Sequence, residues 1–101
     1  MNLIKTISIF YRDDTKNAGI WEEKICKFIS EKYPKIKIAD PDKRPDAVIV
    51  LGGDGTIIEA AQKYKDSGAL IFGMNLGHIG FMASVRREED FLSGLEKFLK
   101  G

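Results

Sequence analysis

The sequence predicts an α/β fold in which helices cover both faces of an open, mostly parallel β-sheet, giving three layers. Two observations support this fold class. Short β-branched and aliphatic runs alternate along the chain with longer segments whose apolar residues recur at helical spacing. One run, residues 47–51 (AVIVL), is apolar at every position, which is typical of a parallel strand buried on both faces.

The first half of the chain predicts two strands around one helix. Residues 6–11 (TISIFY) form the first strand, because β-branched and aromatic side chains fill it and turn-forming residues follow. Residues 18–33 form an amphipathic helix, with Thr15 and Asn17 as candidate caps and Pro34 as the stop. Residues 35–39 alternate lysine with isoleucine, which favours a half-exposed edge strand, and residues 40–46 form a turn-rich loop.

The second half predicts two buried strands and two helices. The central strand at residues 47–51 leads to a helix over residues 56–65, and Gly68 is placed to take a left-handed conformation after it. Residues 69–74 (ALIFGM) form the next buried strand. A last helix carries Phe91, Leu95 and Leu99 on one stripe and runs to Lys100. The order βαββαβα implies largely right-handed crossovers.

Composition predicts one folded domain and excludes several functional classes. The chain has 101 residues, of which 44% are hydrophobic and 31% charged, as in a globular protein. The net charge is +1 without a basic block, which argues against nucleic-acid binding. No apolar run approaches the ~20 residues of a membrane span, so we expect no membrane association. A single cysteine, Cys26, excludes an intramolecular disulfide and a Cys-rich zinc site, and favours the cytoplasm.

The first candidate site is the glycine-rich loop Gly52-Gly53-Asp54-Gly55-Thr56. It lies between the central strand and the next helix, at the carboxyl edge of the sheet where open α/β folds bind ligands. Glycines let the backbone approach a ligand, and a helix N-terminus favours an anion such as phosphate. Asp54 would repel phosphate, so we expect a second role: it could hold Mg²⁺, accept a proton from an attacking hydroxyl, or simply cap the helix.

A second candidate segment, residues 75–81 (NLGHIGF), follows the other buried strand. If the two strands are neighbours, both segments face one crevice. Asn75 could offer its amide to a ligand, and Phe81 could stack on a base or anchor the loop in the core. His78, the one histidine, is more typical of a hydrogen-bonding or surface residue than of a catalyst or metal ligand. The chain has neither a Gly-x-Gly-x-x-Gly fingerprint nor a P-loop.

These two segments together resemble a known enzyme family. Residues 51–56 resemble the Gly-Gly-Asp-Gly signature shared by NAD kinases, lipid kinases of the diacylglycerol and sphingosine type, and 6-phosphofructokinases. Residues 73–81 resemble the Asn-x-Gly-x-x-Gly-Phe motif of NAD kinases. The resemblance implies that residues 1–101 are the N-terminal α/β nucleotide-binding domain of an NAD kinase, with a phosphofructokinase-like fold.

The resemblance also implies roles for individual residues. Asp54 would be the general base that takes the proton of the NAD adenosine-ribose 2′-hydroxyl, which attacks a terminal phosphate of ATP or polyphosphate to give NADP. Mg²⁺ would accompany the donor phosphates. The remaining implied binding residues belong to the two segments. They are Gly53, Gly55 and Thr56 along the phosphates and ribose, Gly52 as a further nucleotide-binding residue, Phe81 on the adenine, and Asn75, Gly77 and Gly80 in the loop beneath it.

Two departures from the family pattern set further expectations. Many bacterial members carry a basic residue near NAD at the position of Glu59. The family also has a β-rich C-terminal domain that grips NAD and builds much of a homo-oligomer interface. We expect that domain to be absent from this chain, the chain alone to be inactive, and the full-length protein to be a homo-oligomer. The alternatives are a lipid or sugar kinase domain and a non-catalytic nucleotide-binding or interaction module.

Overall fold

The computed structural model describes residues 4–40, 43–76 and 83–100. Within these ranges it contains four parallel strands and three α-helices. In chain order the elements are β1 Thr6–Phe10, α1 Ala18–Lys32, β2 Lys37–Ile38, β3 Ala47–Gly52, α2 Asp54–Lys63, β4 Leu70–Asn75 and α3 Phe91–Lys100, with one 3₁₀ turn, Glu88–Asp90, before α3. The predicted α/β fold class and the predicted element order are confirmed.

The sheet has the strand order β2-β1-β3-β4, and every pairing is parallel. In the register of the sheet, Ala47 of β3 lies opposite Ile7 of β1 and Leu70 of β4. β3 is therefore flanked on both sides, and all six of its residues are buried. This burial explains why its sequence shows no polar alternation.

Side-chain alternation along the strands divides the core into two layers. Ile7, Ile49 and Leu51 face α1 and α3, whereas Val48 and Val50 face α2. The helices contribute buried residues to each layer, namely Ile25, Ile29, Phe91, Leu95 and Leu99 on one side and Ile57, Ala60 and Tyr64 on the other. Helices therefore cover both faces of the sheet, as the three-layer prediction requires.

The edge strand β2 is shorter than predicted. Residues 35–39 were expected to be extended, but only Lys37–Ile38 pair with β1. The Ile36 N–H donates to the Tyr33 carbonyl, so the residues before Lys37 form a turn and do not extend the strand. Beyond β2 the Ala39 N–H still donates to the Ile7 carbonyl at 2.8 Å, and the Ser8 hydroxyl donates to the carbonyls of Ala39 and Asp40 at 3.0 and 3.2 Å.

Helix α2 begins and ends two residues earlier than predicted. The Ile57 N–H donates to the Gly53 carbonyl, so Gly53 is the N-cap and Asp54 the first helical residue. A carboxylate in the first turn is favourable beside the helix dipole, which the sequence-based boundary at Thr56 overlooked. Gly68 is left-handed as predicted, with φ of 73°, but it lies in the turn after the helix and not at its cap.

A short bridge on the outer edge of β4 was not predicted. Val85 pairs in parallel with Met74, its N–H donates to the Gly73 carbonyl, and its carbonyl accepts the Asn75 N–H. The chain that follows β4 therefore returns to lie along β4 before entering α3. No helix in the described part of the chain is long and apolar enough to cross a membrane.

Candidate functional site

A cleft of about 640 Å³ lies at the carboxyl ends of β1 and β3. From β1 the chain passes outward to β2, and it then returns to the other side of β1 to form β3. The loops after β1 and β3 consequently lead to helices on opposite faces of the sheet. This is the topological switch point, where open α/β sheets bind ligands. Described residues of the loops after β1 and β3, together with Leu76, line it.

Gly52 allows the abrupt change from β3 to α2. Its φ is 152°, and a Cβ on it would lie 2.8 Å from Thr56 Oγ1 and 3.0 Å from Thr56 Cβ. Strand and helix can be separated by only one residue, Gly53, because Gly52 has no side chain. The first N–H groups of α2 have no intrahelical acceptor, and residues 52–56 line the cleft. The cleft therefore suits an anion.

Asp54 lies on this cleft and is half-buried. It follows the N-cap residue, Gly53, which is extended and makes no side-chain capping bond. Asp54 is therefore the first residue of α2 and not its N-cap residue. Its carboxylate stands beside the N–H groups that favour an anionic ligand, which is a suitable position for a base acting on a bound hydroxyl group.

The predicted meeting of the two glycine segments is found for their described parts. Asn75 pairs with Gly52 in the sheet, and the Leu76 N–H donates to the Gly52 carbonyl at 3.2 Å. Asn75 Oδ1 is buried and has no hydrogen-bond partner within the described ranges. An unpaired buried acceptor costs about 1–3 kcal/mol, so this oxygen is suited to accept a hydrogen bond from a ligand or water. The predicted site residues Gly77, Gly80 and Phe81, like His78, lie outside the described residues.

The loop between β1 and α1 was missed by the sequence reasoning. Arg12, Asp14, Thr15 and Lys16 form the wall of the cleft opposite Gly52–Thr56. The sequence holds a partial signal, because Arg12 and Lys16 lie two and six residues after the end of β1, but it points to the cleft only once β1 is known to neighbour β3. Arg12 Nε donates to Glu59 Oε1 at 2.8 Å, so the acidic residue at position 59 is paired with a cation from this loop.

No group of three or more histidine, cysteine, aspartate or glutamate side chains is placed to hold a metal within residues 4–40, 43–76 and 83–100. The carboxylates on the cleft are Asp14 and Asp54. Mg²⁺ is commonly held by one or two carboxylates together with substrate phosphates. These residues therefore fit a Mg²⁺ ion that arrives with a phosphate ligand, and do not fit a metal held by protein alone.

Two perturbed groups lie outside the cleft. The hydrogen bond from Tyr11 Oη to Glu22 Oε1, 2.7 Å long, raises the pKa of the tyrosine, with burial and the negative charges of Glu22 and Asp13 adding to the effect. Burial, with a smaller effect of the Glu22 charge, raises the pKa of the Cys26 thiol. Both shifts favour the neutral forms, so neither group is activated for acid–base or nucleophilic chemistry.

Two larger cavities lie elsewhere on the described surface. One of about 750 Å³ is at the amino ends of β1 and β2, and its lining includes Tyr33, Pro34 and Ile36. The other, of about 920 Å³, lies beside α3 and includes Phe72 and Phe98. Neither includes the residues of the glycine loop. We assign the site by convergence of loops and chemistry, which favours the smaller cleft.

Comparisons with known proteins agree with this assignment. Residues 12–101 match the family model of the ATP-NAD kinase N-terminal domain. A NAD kinase of Clostridium botulinum (strain ATCC 19397 / Type A) is 35% identical over an alignment covering 97% of this chain and 38% of the relative. One of Thermoanaerobacter sp. (strain X514) is 44% identical over 70% of this chain and 24% of the relative. The chain thus spans well under half the length of these relatives.

A solved structure, that of yeast NADH kinase complexed with NADH, superposes with a TM-score of 0.79 at 12% identity. The superposition covers 96% of this chain and 36% of the yeast chain. At this identity the likeness supports the fold alone, whereas the family match extends over most of the sequence. This chain therefore belongs to the ATP-NAD kinase N-terminal domain family.

Proposed function

We propose that this chain is the nucleotide-binding domain of an NAD kinase, an enzyme that transfers a phosphoryl group to the 2′-hydroxyl of the NAD adenosine ribose to give NADP. The family membership supports the reaction class. The observation that carries the proposal is the meeting of the two motif segments at one sheet edge, where the Leu76 N–H donates to the Gly52 carbonyl. The family match favours NAD over the lipid and sugar substrates that the first motif alone leaves open.

In the proposed reaction Asp54 is the general base. Its carboxylate takes the proton of the ribose 2′-hydroxyl as that oxygen bonds to the terminal phosphorus of the donor. The bond from that phosphorus to the bridging oxygen breaks, and the shortened donor leaves. Gly53, Gly55 and Thr56 bind the phosphates and ribose through the first turn of α2. Gly52 and Asn75, which pair in the sheet, lie at the base of the site. Gly77, Gly80 and Phe81 are proposed to bind the ligand as well, with Phe81 on the adenine.

The donor is proposed to be ATP or polyphosphate with Mg²⁺. Among the described residues, the side-chain charges that line the cleft are two basic, Arg12 and Lys16, and two acidic, Asp14 and Asp54. The side chains alone therefore do not neutralise a triphosphate. Bound Mg²⁺ would supply this charge neutralisation, on which phosphoryl transfer largely depends.

We further propose the remaining properties of the whole enzyme. Residues 1–101 would be its N-terminal domain, a β-rich domain would complete the NAD site and a homo-oligomer interface, and the enzyme would act in the cytoplasm. The chain aligns with only 24% and 38% of the length of two NAD kinase relatives, which supports its assignment as one domain of a longer enzyme. On this proposal the 101-residue chain binds nucleotide but forms NADP poorly.

The test is an amide NMR titration of the ¹⁵N-labelled chain with NAD, with ATP and Mg²⁺, and with inorganic tripolyphosphate. Resonances of residues 52–56 and of Asn75 and Leu76 should shift, while those of β2 at the far edge stay fixed. A parallel assay measures NADP formation. Robust NADP formation that depends on Asp54 would support the kinase and contradict the need for a further domain.

A non-catalytic interaction module gives the opposite result. None of the three ligands would then move residues 52–56 at millimolar concentration, and the proposed function would be wrong. Diacylglycerol phosphorylation without NADP formation would instead establish the lipid-kinase alternative.

A further inference from the structure

The wall of the cleft opposite the glycine loop contains an arginine in an unusual setting. Arg12 lies two residues after the end of β1, and the Thr15 N–H donates to its carbonyl at 2.9 Å, which closes a tight turn. Its side chain crosses the cleft to helix α2, where Nε donates to Glu59 Oε1 at 2.8 Å. Both side chains are half exposed, so this pair contributes little to stability. Its geometric effect is to fix the direction of the guanidinium group.

The two terminal nitrogens of Arg12 lie against the first turn of α2. A Cβ on Gly55 would be 3.4 Å from Nη2 and 3.6 Å from Nη1. These are ordinary contact distances, so the guanidinium group lies directly beside the first turn of α2. In the described part of the chain, neither Nη1 nor Nη2 has a hydrogen-bond partner. The side chain is therefore held by one nitrogen while the other two are available to a ligand.

Such a fork matches a phosphate group. Arginine presents its N–H groups in a plane that binds two phosphate oxygens at once. Here the fork and the first N–H groups of α2 lie together at one cleft, and both favour an anion.

We propose that Arg12 binds the phosphate chain of the nucleotide ligand, and that Glu59 is the residue that positions it. This inference rests on the proposed function, because it assumes a phosphate ligand in the Gly52–Thr56 cleft. Arg12 supplies a cation from the loop after β1, and its guanidinium group lies beside Gly55 of the glycine loop. Glu59 acts only through Arg12 and does not touch the ligand.

The test compares dissociation constants of inorganic tripolyphosphate, ATP with Mg²⁺, and NAD, measured by NMR titration at one fixed low salt concentration. Loss of a hydrogen bond to a charged group predicts that R12A weakens phosphate binding by roughly 10-fold to 100-fold. R12K should recover part of the affinity, because it keeps the charge and loses the fork. Weakening for tripolyphosphate and ATP alone places Arg12 on the donor; weakening for NAD alone places it on the acceptor diphosphate.

The matched control is R87A. Arg87 makes an equally short ion pair with Glu89, Nε to Oε1 at 2.8 Å, on exposed surface away from the cleft. This variant should bind all three ligands as the unsubstituted chain does. Equal weakening by R87A and R12A would show a general charge effect and overturn the proposal.

The positioning role of Glu59 is tested by a conservative pair. E59Q keeps an oxygen acceptor for Nε and should bind ligand nearly normally, whereas E59A should weaken binding, though less than R12A does. The Arg12 Nε–Hε resonance provides a direct signature, since tripolyphosphate should shift it in the unsubstituted chain and in E59Q. If residues 52–56 respond to ligand while R12A binds normally, the Arg12 inference is wrong and the proposed function stands. If residues 52–56 respond to no ligand, both are wrong.

Discussion

Replacing Gly52 with alanine should destabilise the protein for two separable reasons. The new methyl group would lie 2.8 Å from Thr56 Oγ1, and the residue would have to keep a φ of 152°. Crowding a packed site costs about 1–3 kcal/mol, and holding a residue with a side chain in a sparsely populated backbone region costs about 1–3 kcal/mol. Together these lower the free energy of unfolding by about 2–6 kcal/mol.

Two other glycines provide matched controls. Gly68 has φ of 73° with nothing within 4 Å of an added Cβ, so G68A isolates the backbone cost, about 1–2 kcal/mol. Gly19 has equal space, no positive φ and a place in α1. Alanine there should stabilise the helix by up to about 1 kcal/mol. The three substitutions thus separate the steric contribution, the backbone contribution and the helix-propensity contribution.

The assay is urea unfolding followed by fluorescence of Trp21, whose ring packs 4.7 Å from that of Phe91, centroid to centroid. With a slope of about 2 kcal/mol per molar urea, the middle of the usual range, G52A should lower the midpoint by about 1–3 M. Adding T56A removes Oγ1, the closest contact, and should restore part of the loss. A midpoint for G52A equal to that of G68A, or no recovery in the double variant, would refute the steric reasoning.

The remaining predictions concern single side chains. D54N should lower the rate of NADP formation by about 10²–10⁴, the range for loss of a general base, while loss of the carboxylate beside the dipole of α2 lowers the free energy of unfolding by only about 0.3–1 kcal/mol; equal rates would exclude Asp54 as the base. Iodoacetamide should alkylate Cys26 with a pH profile displaced above that of a free thiol, since burial raises its pKa; coincidence with glutathione would contradict this. The raised pKa of Tyr11 adds stability below the pKa of an unfolded tyrosine, and that stability is lost as pH rises through the folded value. Y11F should remove this alkaline dependence in urea unfolding, and an identical dependence would refute the attribution.

The sequence predicts the buried elements of this fold better than its edges. β3 follows from its continuous aliphatic run, because burial on both faces leaves little room for polar residues. β4 is the last strand in the order, but its apolar run and its buried residues 72–74 make it visible as well. The extent of β2 depends instead on bonds to distant residues, such as those from the Ser8 hydroxyl to Ala39 and Asp40. The bridge at Val85 likewise depends on the return of the chain to β4. Patterns within a short stretch of sequence cannot predict such long-range pairings.

The candidate site shows the same division. The glycine loop is visible in sequence because consecutive residues form it, and the neighbouring position of Asn75 follows from the strand order. The Arg12–Glu59 pair joins residues far apart in the chain, and only the adjacency of β1 and β3 brings them together. A loop after a strand can therefore be assigned to a site only when the strand order is known.

The parallel register has a consequence for how the protein folds. Each pair of parallel strands requires a crossover connection, so no β-hairpin with a low loop-closure entropy can form early in folding. The shortest crossover between paired central strands joins β3 to β4 through α2, pairing Ala47 with Leu70, whereas β1 must reach β3 across α1 and β2. The unit that closes the smallest loop is also the one that holds Gly52 and Asn75. We therefore expect the glycine-loop side of the cleft to form before β1 docks, so that the cleft is completed only in the last assembly step of the sheet.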